Sequence, residues 1–196
     1  IFMMLGIPFS IYFGDDDIPA LLIAGIGTSL TGFSFWFTTR KTNRLELGKR
    51  EGYLIVTLGW LMMSLFGALP FVLHGSISSY TNAFFETMSG FTTTGASILS
   101  DIESMPHGLL FWRSFTHWIG GMGIIVLSLA ILPLLGIGGM QLYSAEVPGI
   151  TKDKFHPRVK ETAKRLWVIY LAFTMAETIL LMVAGMSFFD AINHSF

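Results

Sequence analysis

Long apolar runs alternate with short polar ones along this chain. Ile18 to Phe37, Gly52 to Leu73, Leu109 to Pro133 and Ala163 to Gly185 are each near the roughly 20 residues that a helix needs to cross a bilayer. Ile1 to Phe13 is apolar but too short to span, and it stops at Asp15, Asp16 and Asp17. It lacks the basic start and small-residue cleavage site of a signal peptide. It reads as the last part of a helix whose beginning lies upstream. The pattern therefore predicts an all-α integral membrane protein with four spanning helices after a helical stub.

Composition agrees. Of 196 residues 52% are hydrophobic and 13% charged, where a soluble domain carries roughly 25% charged residues. Mean hydropathy is +0.62. Twelve basic residues against thirteen acidic ones leave no basic surface for nucleic acid. With no Cys, disulfides, thiolate metal sites and Cys nucleophiles are excluded. No Gly-x-Ser-x-Gly elbow or His-Glu-x-x-His pair occurs, and the chain is read as no enzyme.

Basic residues fall in two clusters, Arg40, Lys41, Arg44, Lys49 and Arg50, then Lys152, Lys154, Arg158, Lys160, Lys164 and Arg165. The positive-inside rule puts both on the cytoplasmic side. Asp15 to Asp17, Asp101, Glu103 and Asp190 then lie outside, the three aspartates as a solvated loop. Leu73 leaves the membrane outside, and Leu109 starts there too. The segment between them, His74 to His107, begins and ends on one face yet contains Ala83-Phe84-Phe85, Met88 and Phe91. Apolar residues that cannot span, between two same-side ends, predict a re-entrant segment.

A short helix capped by Thr81 or Asn82, running through Glu86 to about Gly90, would aim its C-terminal negative dipole at the membrane midplane, where it favours a cation. Thr92-Thr93-Thr94-Gly95 would climb out as extended backbone. A row of its carbonyls can replace a cation's hydration shell, and Gly95 permits a positive φ. Asp190 to Phe196 follows another outward-going helix and parallels Tyr80 to Phe85, as the start of a second such helix.

The run Asn82-Ala83-Phe84-Phe85-Glu86-Thr87-Met88-Ser89-Gly90-Phe91-Thr92-Thr93-Thr94-Gly95-Ala96-Ser97 resembles the first pore loop of the TrkH branch of the Trk/Ktr/HKT potassium-transporter superfamily. Met105 to Ser114 and Trp118 to Ile124 resemble its following helix. Gly138 to Leu142 and Ala145 to Gly149 resemble its cytoplasmic connection. The resemblance implies helix–re-entrant pore loop–helix repeats of K+-channel-like architecture, four in a whole protein, of which this N-terminal fragment holds one and part of a second. It implies K+ uptake across the bacterial cytoplasmic (inner) membrane by a multi-pass pore subunit. The rival is a cation carrier with broken helices coupled to Na+ or H+. It also implies K+ as the transported ion, a homodimer in membrane lipid, and a cytosolic TrkA-type nucleotide-binding regulatory subunit.

On this reading residues 1–51 are N-terminal helices and the first cytoplasmic loop. Residues 52–135 are the first complete repeat, 136–162 a cytoplasmic connection, and 163–196 the start of a second repeat. Thr92, Thr93, Thr94 and Gly95 form the K+ filter, with K+ at Thr93 and Thr94. Glu86 supports it by accepting hydrogen bonds, the plainer alternative being a carboxylate in the outer vestibule. Arg113, a turn inside its helix and four residues from His117, snorkels or holds the pore loop. Gly120, Gly121 and Gly123 read as close helix packing. Trp36, Trp60, Trp112, Trp118 and Trp167 read mostly as interfacial anchors. Glu177, mid-helix, has no assigned role.

Overall fold

The apolar runs fold as helices in the computed structural model, which describes residues 2–40, 49–135 and 156–196, with backbone alone for Lys49, 126–135 and 156–160. Among the described residues all regular structure is helical. A 3-10 turn, Phe2–Gly6, leads into α1 (Ile7–Phe13) and α2 (Ile18–Thr39). Then come α3 (Lys49–Gly67), α4 (Leu69–His74), α5 (Tyr80–Phe91), α6 (His107–Leu135), α7 (His156–Val183) and α8 (Phe188–Ser195). Ile18–Thr39, Arg50–His74 and Glu161–Val183 are long and apolar enough to cross a membrane. At 1.5 Å per residue α2 measures about 33 Å, against a hydrocarbon core of about 30 Å. The protein is an all-α integral membrane protein.

Residues 2–40, 58–120 and 196 form one compact unit; residues 49–57, 121–135 and 156–195 form another. In the first, α2 packs on α1 and α4, and α4 on α5. Along α2 the hydroxyls of Thr28, Ser29, Thr31 and Ser34 donate to carbonyls one turn back, at 2.6–2.8 Å. A hydroxyl satisfied by its own helix can face lipid without an orphaned donor. In the second unit α7 packs on α8.

Three expectations change. The run Gly52 to Leu73 is two helices, because Pro70 stands in the first turn of α4. Proline has no N–H and crowds the carbonyl four residues back, so the ladder breaks there. Near the break, Leu65 O accepts the Tyr80 hydroxyl at 2.9 Å and Gly67 O accepts Trp112 Nε1 at 3.0 Å. That second bond overturns Trp112 as an interfacial anchor, since its ring is only 3% exposed. Of the three aspartates only Asp16 is solvated. Asp17 is fully buried, and Asp15 binds His107.

The first basic loop, 41–48, lies outside the described residues. So do residues 136–155 of the cytoplasmic connection, Lys152 and Lys154 among them, and the side chains of Arg158 and Lys160.

Candidate functional site

The segment from His74 to His107 starts at a left-handed glycine. Gly75 has φ +88° and its N–H bonds Phe71 O at 3.1 Å, while Ile77 N–H bonds the same carbonyl at 3.3 Å. This double closure stops α4 and turns the chain toward α5. Ser79, extended at φ −89° and ψ 121°, is the N-cap, and its carbonyl takes the Ala83 N–H at 2.9 Å. Thr81 and Asn82 therefore sit inside the first turn rather than capping it. Once the Tyr80 hydroxyl is held by Leu65 O, the helix begins earlier than side-chain capping preference alone indicates.

Three contacts fix the depth that α5 reaches. Glu86 meets Arg113, Gly90 lies against Thr116, and the Phe91 backbone lies against Gly120. The register advances the same way along α5 and α6, so both helices run in the same direction. Gly120 lies about 20 Å along α6 from His107, so α5 ends well down the length of α6. A Cβ at Gly120 would fall onto the Phe91 carbonyl, well inside van der Waals contact. The helix end can be this deep only because position 120 is glycine.

The chain then reverses. Ala96 O accepts Ser89 Oγ at 2.6 Å, and Glu86 accepts from Ser97 Oγ at 2.9 Å and Ile98 N–H at 3.0 Å. Residues 96–98 thus retrace α5 from Ser89 back to Glu86. The turn differs from the expected extended strand. Thr92 is near-helical at φ −82° and ψ 1°, and Thr93 takes φ +56°. Thr94 N–H closes on Ser89 O at 2.9 Å. Thr92 and Thr93 therefore finish the C-terminal turn of α5, and from Thr94 the chain has no regular structure. Gly95 follows with φ +74°. Hydroxyls tie the turn together: Thr92 Oγ1 to Met88 O at 2.8 Å, and Thr92 Oγ1 with Thr94 Oγ1 at 2.8 Å. Thr92, Thr93, Thr94 and Gly95 are exposed. Exposed irregular backbone at membrane depth requires water or further protein against it.

Glu86 is 2% exposed and receives three donors. Arg113 Nε reaches Oε1 at 2.7 Å, and Ser97 and Ile98 supply the other two. A buried carboxylate is tolerated when paired and hydrogen-bonded in this way. It joins α5, α6 and the returning segment 96–98. Thr87 Oγ1 anchors the opposite face of α5, donating within reach of Ser64 O at 3.0 Å and Ala83 O at 2.8 Å.

The second unit repeats this local geometry. Gly185 ends α7 with φ +103°. Ser187 O takes the Ala191 N–H at 2.9 Å, as Ser79 O takes that of Ala83. Ser195 Oγ bonds Ala191 O and lies 2.6 Å from Thr178 Oγ1 on α7, as Thr87 bonds Ala83 O and the spanning helix before it. Ala83 to Ala191 and Thr87 to Ser195 share one offset, which places His194 at the position of Glu86. Glu177 is exposed on α7, beside the buried Thr174 and Thr178.

Spanning helices joined by a half-length helix that runs parallel to the one after it define a helical membrane protein of the re-entrant-loop class. The chain belongs to the TrkH family of cation transport proteins, whose family model matches residues 17–196. The Trk system potassium uptake protein TrkH of Escherichia coli K12 is 54% identical over 167 residues, 84% of this chain and 34% of that protein. The protein of the same name from Halomonas elongata is 44% identical over 189 residues, 95% and 39% respectively. The crystal structure of the potassium transporter TrkH from Vibrio parahaemolyticus matches with a TM-score of 0.81 at 40% identity, over 98% of this chain and 38% of that one. The chain thus spans little more than a third of the length of these relatives.

Proposed function

We propose that the chain supplies the first part of the K+ pathway of a K+ uptake protein of the bacterial cytoplasmic membrane. The observation that carries this is the re-entrant segment. The C-terminus of α5 ends against Gly120, about 20 Å along α6 from His107, with Thr92, Thr93, Thr94 and Gly95 exposed just beyond it. The dipole end of α5 favours a cation there, and the backbone that follows offers oxygen ligands without a carboxylate's tight hold. In this reading Thr92 to Gly95 form one quarter of a K+ filter, with K+ held at Thr93 and Thr94. Glu86 and Arg113 brace it. Residues 52–135 are one helix–pore–helix repeat, and the recurrence at Ser187 to Ser195 begins the next.

The whole protein is a homodimer in lipid and takes a cytosolic TrkA-type nucleotide-binding subunit on its cytoplasmic side. The names of the relatives support K+ as cargo. The basic residues from Lys152 to Arg165 support that cytoplasmic placement.

The test is Rb+ and Na+ uptake by the full-length protein in cells lacking their own K+ uptake systems. Gly95→Ser puts a Cβ at a left-handed position, at about 1 kcal/mol or more, and should lower K+ over Na+ preference more than expression. Thr94→Val should do less, because it keeps the carbonyl. An unchanged rate and preference in Gly95→Ser would remove this segment from the filter.

A further inference from the structure

The three consecutive carboxylates between α1 and α2 are shared between the two ends of the re-entrant segment. Asp16 Oδ1 lies 3.0 Å from His74 Nε2, and the other ring nitrogen of His74 is 2.6 Å from Ser76 Oγ. His74 is the last residue of α4. Asp15 Oδ2 accepts the backbone N–H of His107 at 2.7 Å and contacts its Nδ1 at 2.8 Å. His107 is the first residue of α6, and the Phe13 ring stacks on its imidazole with centroids 3.7 Å apart. Asp17 Oδ2 accepts the Leu109 N–H at 2.8 Å.

Asp17 is the N-cap residue of α2 yet makes no side-chain bond to its own helix. Its carboxylate is turned to the open N–H groups of α6, which a helix cannot satisfy within itself. The other oxygen, Oδ1, is buried without a hydrogen-bond partner, and such an oxygen lowers stability. A Cβ on Gly108 would meet Asp17 Oδ2 at 2.7 Å, so the missing side chain at 108 leaves the carboxylate its room beside α6. Buried, imperfectly satisfied and used on another helix, this carboxylate fits a group that sets position rather than one that adds stability.

We propose that the Asp15-Asp16-Asp17 turn is a positioning element of the ion pathway, holding both ends of the re-entrant segment to one tripeptide. The proposal rests on the K+-pathway reading. Arg113 lies less than two turns beyond Leu109 on α6. The height at which Asp15 and Asp17 hold that helix is therefore the height at which Arg113 meets Glu86, and Glu86 in turn holds Ser97 and Ile98. Asp16 fixes the other end through His74, from which the chain descends into α5. Asp15, Asp16 and Asp17 touch no transported ion; they act through α6 and α4.

The test uses the full-length protein in cells lacking their own K+ uptake, with uptake normalised to protein in the membrane. Asp15→Ala removes both bonds to His107. It should raise the apparent KM for Rb+ relative to that for Na+ by about tenfold, the low end of the scale for one lost charge-assisted hydrogen bond, with a smaller change in maximal rate. Asp15→Asn keeps one acceptor and should recover part of the loss. Asp16→Ala, at an exposed side chain, inserts normally and should shift the same ratio in the same direction. The exchange Asp16→His with His74→Asp should restore it. Glu161→Gln, in an exposed pair on α7, is the control for a surface charge and should shift nothing. If Asp15→Ala and Asp16→Ala reach the membrane with the KM ratio unchanged while Gly95→Ser alters it, the positioning role is overturned and the pathway reading stands. If Gly95→Ser is also silent, the pathway reading itself fails.

Discussion

Arg113 Nε stands 2.7 Å from Glu86 Oε1, with the two side chains 13% and 2% exposed. The pair is a buried link between the re-entrant helix and the spanning helix after it. Its strength depends on both partners staying in place, because either charge alone would be stranded in a medium that solvates it poorly.

Arg113→Met should therefore destabilise the full-length protein by about 3–5 kcal/mol, the range for removing one partner of a buried pair. Adding Glu86→Gln should recover part of that loss. The amide needs no counter-charge, and its oxygen still accepts from Ser97 or Ile98. Thermal unfolding in detergent measures both. A double variant no better than Arg113→Met would show that the charge is not what the arginine serves.

Gly120 and Gly121 are adjacent but should respond unequally to alanine. A Cβ at 120 meets the Phe91 backbone, whereas one at 121 meets the Tyr170 hydroxyl at 2.7 Å, the tip of a side chain that can swing. Gly120→Ala should cost about 1–3 kcal/mol, as overpacking does, and Gly121→Ala clearly less. Melting temperatures of the two variants would decide, and equal losses would refute the close approach of α5 to α6.

Thr93 holds φ +56°, a left-handed angle that disfavours a β-branched residue by about 1–2 kcal/mol. Glycine there removes that strain but adds about 0.5–1 kcal/mol of backbone entropy loss on folding. The relief is about twice the cost, so Thr93→Gly should leave the melting temperature unchanged or raise it slightly. A large drop would mean that the turn after α5 does not pass through a left-handed Thr93.

Asp16 should confer acid sensitivity. The hydrogen bond from His74 is the leading cause holding its carboxyl below the ordinary 3.8. A carboxyl depressed in the folded state contributes stability above its unfolded value, and that contribution is lost as pH falls through the lowered value. Asp16→Asn should flatten this acid limb by lowering stability slightly above pH 5 and leaving it unchanged at the acid end. Unfolding midpoints between pH 6 and pH 3 report it, and an identical acid limb in the variant would exclude the His74 contact.

The spanning helices and the re-entrant segment were legible because apolar runs and clustered charges carry them directly. His74 and His107, its boundaries, followed from the need for same-side ends. The break in the second spanning run was marked by Pro70 alone, inside an otherwise unbroken apolar stretch. The work of Asp15 and Asp17 had no readable signature. Each binds backbone N–H groups 92 residues away, and every residue except proline presents that group. The start of α5 at Tyr80 was hidden similarly, since the acceptor for its hydroxyl is a main-chain carbonyl of α3. The Glu86–Arg113 pair was half visible. Both residues stood out as charges in apolar surroundings, but only the parallel run of α5 and α6 sets them against each other.

The cap of α6 also has an order in time. A ribosome makes the N-terminal turn first, so the carboxylates of Asp15 and Asp17 exist before the amides of His107 and Leu109 are synthesised. The first turn of α6 closes onto acceptors already waiting at the membrane surface. The nascent chain thus carries, in the loop between α1 and α2, the stop against which a much later helix comes to rest.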